Sequence, residues 1–416
     1  MAAPESKTVV VIGLGGAGLK AFTQLLTKLY TTGCNCPKHD QTSKVIVIEK
    51  SKYSYWPPGS LRASVINGFE DKVVRSYDHI VPRLIKENFG KLVKVVVGRA
   101  VVQIDFVERV VILDEPVDEF GIEGGKRLRF DYLVLAPGSI YPFPCRPPPE
   151  AKTPEELKTS MQELQAQIEQ SQSILIVGAG VVGIEFAGEV SDHYPHKHIT
   201  LVSSTSKLLA DHNPKLAQSL EGQLLSRGIE LIHGHRVNLH EAGISHTTKL
   251  DNLTKIGLTA TEGSTDKTQV EADFVFLAIG NKPNTGFIPE EYLNPNNRLI
   301  RVTSSLRVLD GTSTPLPGVY ALGDAIDFEG SKLFAALDGQ ASTVAKNLVA
   351  EMSDPNFSPQ IYKPLRDTIC IPLGPSGGAS EILGFTFGVG PFFTSIIKGK
   401  GLFVGLFNSL YPDKDV

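Results

Sequence analysis

Two glycine-rich turns in this chain have the residue types and spacing that bind phosphate groups. The first has the sequence GLGGAG at positions 13–18 and follows the β-branched run 9–12. Gly13 permits a tight turn, Gly15 leaves room for a pyrophosphate against the backbone, and Gly18 lets the next helix pack closely on the strand. The free N–H groups at the start of that helix favour a negative charge. The pattern therefore predicts a strand, turn and helix that cradle a dinucleotide.

An acidic residue at the end of the next predicted strand supports this interpretation. Glu49 follows the apolar run 45–48, at the place where an acid binds the ribose hydroxyls of a dinucleotide. It comes 36 residues after Gly13, against roughly 20 in the usual pattern. We attribute the excess to a polar surface insertion at 31–43. The alternative is a solvated strand end, but the order of strand, glycines and acid favours the ribose role.

The second glycine-rich turn is GAGVVG at 178–183, which follows the apolar run 173–177 and begins 165 residues after the first. One such turn can serve packing alone, whereas two in this context predict two bound dinucleotides. The next strand, 198–202, ends in Ser203 and Ser204. It carries no acid for a ribose and no arginine for a 2′-phosphate, and Lys207 lies nearby on a loop. The choice between NADH and NADPH stays open.

Two further charged residues stand where they would meet a cofactor. Asp324 follows Gly323 after a short predicted strand, and a carboxylate there would bind flavin ribityl hydroxyls; the alternative is a helix cap. Arg62 comes soon after Glu49 and would neutralise a pyrophosphate. Its alternative is an ordinary arginine near a helix start.

Length and composition limit the class of protein. A chain of 416 residues predicts two or three domains. A net charge of −4 argues against a general nucleic-acid binder. The four cysteines form no CxxC pair and no zinc pattern, so we predict no metal site and a reducing compartment. No stretch reaches the ~20 apolar residues of a spanning helix, and Ala2 replaces the glycine that myristoylation needs.

A recognisable set of motifs runs along the chain: GLGGAG with Glu49, APGS at 136–139, GAGVVGIE at 178–185, AIGNKPN at 278–284 and ALGDA at 321–325. This ordered set resembles the two-dinucleotide-binding-domain flavoproteins. Within that superfamily the chain looks most like the apoptosis-inducing-factor-like and ferroptosis-suppressor type of NAD(P)H:quinone oxidoreductase. Type II NADH dehydrogenases are the next relatives.

The resemblance implies FAD as one cofactor, and NADH or NADPH as the other. The first turn, Glu49, Arg62, Val101 and Asp324 would hold FAD, and the second turn would hold the nicotinamide cofactor. The predicted cofactor-binding residues are Gly13, Leu14, Gly15, Gly16, Ala17, Gly18, Glu49, Lys50, Arg62, Val101, Ala136, Gly138, Gly178, Gly180, Gly183, Glu185, Gly280, Gly323 and Asp324. The predicted catalytic residues are Glu185 and Lys332.

The motif order predicts an α/β fold with two Rossmann-like, three-layer dinucleotide-binding domains and a small C-terminal α+β segment. We expect the FAD-binding domain at 1–150 and 286–350, the NAD(P)H-binding domain at 151–285 and the C-terminal segment at 351–416. A proline-rich stretch, 142–149, marks a stiff connection between domains. The sequence TPEE at 153–156 predicts a capping box at the start of the helix that follows.

The cysteines also bear on mechanism. Disulfide reductases of this superfamily need a cysteine pair beside the flavin, and none of the four cysteines stands at such a place. The sequence therefore predicts that hydride moves from nicotinamide C4 to flavin N5 and that the flavin itself passes the electrons onward.

Two candidate catalytic residues have competing interpretations. Glu185 and Glu189 are four positions apart and would share one helix face. We assign Glu185 to positioning the nicotinamide; the alternative is an acid that favours the helix dipole. Lys332 would stabilise charge on the reduced flavin or donate a proton, and the alternative is a surface lysine.

The C-terminal stretch 384–407 combines six phenylalanines with two lysines and no acid. Such a segment either lies on a bilayer surface or closes the flavin pocket. We expect a lipophilic quinone acceptor, a cytoplasmic protein that is free or peripheral on a membrane, a lipid droplet or the outer mitochondrial surface, and a homodimer as one assembly option. The alternatives are a flavin reductase for a protein or monodehydroascorbate, and a redox-signalling flavoprotein with little turnover.

Overall fold

The computed structural model describes residues 6–30, 43–85, 92–117, 125–210, 212–261, 268–330, 333–365, 368–382, 385–386 and 391–412. The chain divides into two compact units. Unit 1 comprises Met1–Ser54, Ser76–Ile140 and Lys282–Leu365, and unit 2 comprises Tyr55–Arg75, Tyr141–Asn281 and Arg366–Val416. Segments 55–75 and 366–416 thus share a unit with 141–281, although the predicted boundaries place all three in different domains. The role of each predicted domain stays a prediction.

The helices of the described residues are numbered along the chain. They are α1 (Gly16–Tyr30), α2 (Pro57–Ala63), α3 (Tyr77–Ile85), α4 (Pro154–Gln170), α5 (Val181–His193), α6 (Pro214–Ser226), α7 (Ala336–Ser353), α8 (Pro391–Thr394) and α9 (Val404–Leu410). Short 3₁₀ turns occur at Glu70–Lys72 and Glu290–Tyr292, and a π-helical turn follows α8 at Ser395–Gly399.

The strands are numbered in the same way. They are β1 (Thr8–Ile12), β2 (Lys44–Glu49), β3 (Tyr53–Tyr55), β4 (Val74–Ser76), β5 (Val93–Val97), β6 (Val101–Asp105), β7 (Val110–Leu113), β8 (Arg127–Arg129), β9 (Tyr132–Leu135), β10 (Ser139–Ile140), β11 (Ser173–Val177), β12 (His198–Val202), β13 (Glu230–Ile232), β14 (His235–Val237), β15 (Thr248–Ala260), β16 (Gln269–Leu277), β17 (Lys282–Pro283), β18 (Ile300–Arg301), β19 (Arg307–Leu309), β20 (Pro315–Ala321), β21 (Ile326–Asp327), β22 (Ile369–Leu373), β23 (Gly377–Ile382) and β24 (Phe385–Thr386).

Unit 1 is built on a six-stranded sheet in the order β19-β20-β9-β1-β2-β5. The strands from β20 to β5 are parallel, and β19 joins at the edge as an antiparallel strand. Residues Val9 to Ile12 of β1 are buried, as expected for a parallel strand that is covered on both faces. Because the strands are parallel, the loops after β20, β9, β1 and β2 emerge at one edge of the sheet.

Unit 2 repeats this arrangement in a sheet with the order β13-β12-β11-β16-β15-β14. Strands β13, β12, β11 and β16 are parallel, and β15 and β14 complete the sheet as antiparallel strands. The prediction of two Rossmann-like domains is therefore confirmed.

The C-terminal part of unit 2 is a small α+β element, as predicted. Strands β22, β23 and β24 form an antiparallel sheet, and α8, the π-helical turn and α9 follow it. Among the described residues, no helix is both long and apolar enough to cross a bilayer.

The capping box predicted at the start of α4 is also confirmed. The Thr153 side chain accepts a hydrogen bond from the Glu156 backbone N–H, and the Glu156 carboxylate accepts one from the Thr153 N–H. Pro154 occupies the first turn, where its missing N–H costs nothing.

Two helical glycines of unit 2 provide a matched test of packing. A Cβ on Gly188 of α5 would lie 2.5 Å from the Cα atom of Leu373, whereas a Cβ on Gly222 of α6 would meet no atom within 4 Å. We predict that Gly188→Ala lowers the free energy of unfolding by about 1–3 kcal/mol through overpacking. Gly222→Ala should raise it by about 0.5–1 kcal/mol, because alanine loses less entropy in a helix. Urea unfolding followed by circular dichroism measures both, and a Gly188→Ala variant as stable as the wild type would contradict the packing described here.

Candidate functional site

The first glycine turn lies at the carboxyl edge of the unit 1 sheet, between β1 and α1. The Gly13 N–H donates to the Ile48 carbonyl at 2.8 Å, which ties the turn to the end of β2. A Cβ on Gly18 would come within 1.9 Å of the Gly13 carbonyl oxygen, so the predicted close packing of the helix is present. A Cβ on Gly15 would meet nothing within 4 Å. The turn is thus tightly packed at Gly18 and open at Gly15, which suits a pyrophosphate.

Glu49 is the last residue of β2 and is buried. Its carboxylate accepts hydrogen bonds from the Leu14 N–H at 2.6 Å and the Ser51 N–H at 2.8 Å. Burial raises the pKa of Glu49 above its usual value, and these backbone donors partly offset that effect. The acid therefore contacts the first turn directly, although 35 residues separate Glu49 from Leu14.

The structure brings several other predicted residues to the same edge. The Ala136 N–H donates to the Ile12 carbonyl at 2.9 Å, at the end of β9. A Cβ on Gly323 would lie 2.9 Å from the Cβ atom of Ala17. Asp324 accepts a hydrogen bond from the Ser139 hydroxyl at 2.9 Å.

The remaining predicted residues of unit 1 lie close to these in the chain. Lys50 follows Glu49 and is exposed, Gly138 precedes β10, and Val101 begins β6. Two residues before Val101, the Arg99 N–H donates to the Glu49 carbonyl at 3.2 Å.

The second glycine turn has the same geometry in unit 2. The Gly178 N–H donates to the Val202 carbonyl at 2.9 Å, and a Cβ on Gly183 would come within 2.0 Å of the Gly178 carbonyl oxygen. Gly180 has open space where a Cβ would stand. Gly280 follows the end of β16, which pairs with β11 directly before the turn. This second cradle is thus a structural repeat of the first.

Glu185 lies in α5, the helix that begins at the second cradle, and is buried. Its carboxylate oxygen Oε1 is 2.6 Å from Nζ of Lys398, which also donates to the Cys370 carbonyl at 3.4 Å. Burial raises the pKa of Glu185, and the positive charge of Lys398 offsets part of the increase. The pair is a charged, largely buried site within two turns of the cradle.

Glu189 shares this face of α5 with Glu185, as predicted, and has its own counter-charge. Arg62 of α2 binds both carboxylate oxygens of Glu189 at 2.8 Å through Nε and Nη2. The guanidinium also donates to the carbonyls of Gly399 at 2.7 Å and Lys400 at 3.0 Å. Burial raises the pKa of Glu189, and Arg62 opposes the increase.

Arg62 therefore has protein partners that its sequence context did not suggest. It belongs to unit 2, whereas the first cradle belongs to unit 1. The pyrophosphate role stays a prediction, and the contacts of the described residues make Arg62 a clamp on the C-terminal segment. Lys332, the other predicted catalytic residue, lies outside the described residues.

The cysteines that the structure describes are poor nucleophiles. Burial raises the pKa of Cys145 to about 12 and also raises that of Cys370. Neither forms a disulfide. Because the thiolate is the reactive form, thiol chemistry is unfavourable at both positions.

Sequence reasoning missed three residues that contact predicted site residues within their own units. Lys398 is the cation of Glu185, the Tyr77 hydroxyl donates to the Leu14 carbonyl at 3.0 Å, and Gln340 accepts from the Gly323 N–H at 2.8 Å. Only Lys398 had a signal in the sequence. A lysine within an apolar stretch that contains no acid must find a counter-charge elsewhere or stay in water.

The family model for pyridine nucleotide-disulphide oxidoreductases matches residues 7–346. The chain belongs to this family. It is accordingly an FAD-dependent oxidoreductase that uses NADH or NADPH, and the predicted cofactors are confirmed. The two cradles fit this assignment, because Gly15 and Gly180 leave the open space that a dinucleotide backbone needs in each unit.

Individual relatives confirm the predicted resemblance to the apoptosis-inducing-factor-like and ferroptosis-suppressor type. The chain is 28% identical over 402 residues to ferroptosis suppressor protein 1 of Homo sapiens, covering 95% of this chain and 93% of the relative. It is 28% identical over 413 residues to apoptosis-inducing factor homolog B of Dictyostelium discoideum, covering 96% and 95%. Among solved structures, the sulfide:quinone oxidoreductase of Aquifex aeolicus superposes with a TM-score of 0.66 at 14% identity, over 97% of this chain and 92% of that one. This last likeness shows the shared fold.

The buried pair of Arg62 and Glu189 can be tested by removing one partner. Arg62→Met leaves a carboxylate buried without its counter-charge, and we predict a loss of about 3–5 kcal/mol in the free energy of unfolding. Adding Glu189→Met to the same chain should recover much of that loss, since no buried charge is then unpaired.

The matched control is Arg298→Met, which breaks an exposed pair with Glu290 at 3.0 Å. Chemical denaturation should detect little change for this variant, because exposed ion pairs contribute little. Equal effects of Arg62→Met and Arg298→Met would show that the buried clamp is not important for stability.

Proposed function

We propose that this oxidoreductase passes electrons from NADH or NADPH to a lipophilic quinone. The observation that carries the proposal is the position of Lys398. It pairs with Glu185 beside the second cradle, and it lies in the same C-terminal stretch as a set of exposed apolar side chains. A charged pair and an apolar surface on one segment suit an acceptor with a polar head and an apolar tail. The resemblance to the quinone-reducing type supports the same acceptor.

The residues of this chain then have distinct roles. When bound, FAD supplies the two-electron chemistry that links the nicotinamide to the acceptor. Glu185 positions the nicotinamide, and Lys398 holds the Glu185 carboxylate in place. Lys332 is proposed to stabilise negative charge or to donate a proton near the flavin.

Proton balance gives Lys398 a second role. Reduction of a quinone to a quinol takes up two electrons and two protons. NAD(P)H supplies both electrons and one of the protons as hydride, so one proton must come from solvent. We assign its delivery to Lys398, which is partly accessible in the structure and can be reprotonated from water. With this proton supplied by Lys398, the role left to Lys332 is to stabilise negative charge.

The test uses the purified chain loaded with FAD, assayed without oxygen with NADH or NADPH and a short-tailed ubiquinone. We predict quinone-dependent oxidation of the nicotinamide, and a loss of about 10²-fold or more in kcat/KM for Glu185→Gln and for Lys398→Met. Lys400→Met is the control, because its exposed side chain is only two residues away. Flavin absorbance confirms that each variant holds FAD.

Several outcomes would reject the quinone assignment. FAD-loaded protein that reduces no quinone but reduces monodehydroascorbate or a ferredoxin would establish the other kind of acceptor. A reduced charge-transfer complex that persists in air without turnover would instead indicate a signalling flavoprotein. Wild-type rates in Glu185→Gln and Lys398→Met would remove the proposed roles of both residues.

We further propose that the C-terminal segment contacts a lipid surface. Six large apolar side chains are 37–68% exposed there, and we call them the apolar patch: Phe392, Phe393, Ile396, Ile397, Phe403 and Leu406. The charged residues of the stretch 391–412 are Lys398 and Lys400, both basic. The Trp56 indole N–H donates to the Leu402 carbonyl at 2.8 Å and its ring stacks on Phe407, which holds the segment in place. An apolar patch on a segment that also carries the exposed Lys400 suits an anionic bilayer.

Sedimentation with anionic phosphatidylserine vesicles tests this contact. We predict that the combined change Phe392→Ser and Phe393→Ser weakens binding about tenfold or more, because less apolar area enters the lipid. Val107→Ser is the control, since Val107 is 85% exposed but lies in unit 1, away from the patch in sequence. Equal binding of the double variant and the control variant would contradict the proposal.

A further inference from the structure

The edge of the unit 1 sheet defines a reference position for the residue that selects a ribose. In that unit Ile12 of β1 pairs with Ile48 of β2, and the Gly13 N–H donates to the Ile48 carbonyl at 2.8 Å. The residue directly after this pairing is Glu49.

The same contacts recur in unit 2. There Val177 of β11 pairs with Val202 of β12, and the Gly178 N–H donates to the Val202 carbonyl at 2.9 Å. The residue directly after the pairing is Ser203. By register and by hydrogen bond, Ser203 is therefore the counterpart of Glu49.

The local hydrogen bonds of these two residues also agree. The Glu49 carboxylate accepts from the N–H two residues later, that of Ser51, at 2.8 Å. The Ser203 hydroxyl accepts from the N–H two residues later, that of Thr205, at 3.2 Å. What differs is charge. A carboxylate accepts hydrogen bonds from ribose hydroxyls and repels a phosphate on the 2′ oxygen, whereas an uncharged serine hydroxyl does not repel that phosphate.

The loop after β12 adds donors and no negative charge. Its sequence is SSTSK at 203–207, and the residues from Ser204 to Lys207 are exposed. The Thr205 hydroxyl lies 2.9 Å from that of Ser203 and donates to the Lys207 carbonyl at 2.8 Å. The Gly234 N–H donates to the Thr205 carbonyl at 3.1 Å, which fixes the loop against the turn between β13 and β14. The Thr205 hydroxyl proton is thus used within the loop, and the exposed side chains of Ser204, Ser206 and Lys207 are the suitable ligands for a phosphate dianion.

We propose that the loop 203–207 binds the 2′-phosphate of NADPH, so that this chain takes NADPH in preference to NADH. The preference follows from the absence of an acid at position 203 and the presence of Lys207. It concerns the electron donor alone and does not depend on the identity of the acceptor.

Nucleotide fragments test the loop without any redox reaction. The FAD-loaded full chain is titrated calorimetrically with 2′,5′-ADP and with 5′-AMP, which differ by the 2′-phosphate. We expect 2′,5′-ADP to bind at least about tenfold more tightly, and the difference to shrink as salt is raised. Equal affinities for the two fragments at low salt would overturn the proposal.

Two variants of the loop sharpen the test. Lys207→Met removes an exposed charge and should weaken 2′,5′-ADP about fivefold while leaving 5′-AMP unchanged. Ser203→Glu restores the acid found in unit 1 and should reverse the preference between the fragments. Since Ser203 is buried, Lys207→Met decides the outcome if Ser203→Glu does not fold.

The matched control is Lys255→Met. Lys255 of β15 pairs with Glu271 near the start of β16, whereas the end of that strand, Leu277, is the part that adjoins Val177. Lys255 is therefore at the sheet edge opposite to the loop, and its loss should change neither affinity. An unchanged preference in Lys207→Met, or an equal loss in Lys255→Met, would show that the loop does not recognise the phosphate.

Discussion

A carboxylate that is buried away from water needs a positive charge beside it. Helix α5 carries two buried carboxylates one turn apart, those of Glu185 and Glu189. Glu189 forms an ion pair with Arg62 of α2, and Glu185 forms one with Lys398 of the C-terminal segment. Arg62 also binds two carbonyls of that segment, so both ion pairs depend on the same stretch of chain. Three elements that are far apart in sequence must fold together before both carboxylates are satisfied. This requirement explains why residues 55–75 and 366–416 belong to the same unit as the second cradle.

The ion pair of Glu185 and Lys398 also places two charges close to the second cradle. Glu185 is on the helix that starts at the second cradle, and its cation comes from the segment that carries the apolar patch. The cation of the polar pair and the apolar patch therefore belong to one segment. Lys398 is fixed on one side by Glu185 and on the other by the Cys370 carbonyl. These two contacts give the Lys398 ammonium group a defined position.

The two cradles have the same backbone contacts but differ in one side chain. Both turns bind the neighbouring strand through a glycine N–H, and both pack a helix so closely that a Cβ would collide with a carbonyl oxygen. These features suit a phosphate that is bound through backbone groups, and they are alike in both units. The residue after each neighbouring strand is different, Glu49 in one unit and Ser203 in the other. The two cradles thus share their backbone geometry and differ in the charge of the side chain that follows the neighbouring strand.

Patterns of residues a few positions apart were sufficient to predict several features of the structure. These are the buried strands, both glycine turns, the capping box at Thr153 and hence the doubled α/β fold. Only the tertiary structure shows which cations pair with the buried acids Glu185 and Glu189. Arg62 is 127 residues from Glu189, and Lys398 is 213 residues from Glu185. Local patterns report secondary structure because neighbouring residues interact within one helix or strand. They carry no information on which distant side chains meet, since that depends on how complete elements pack.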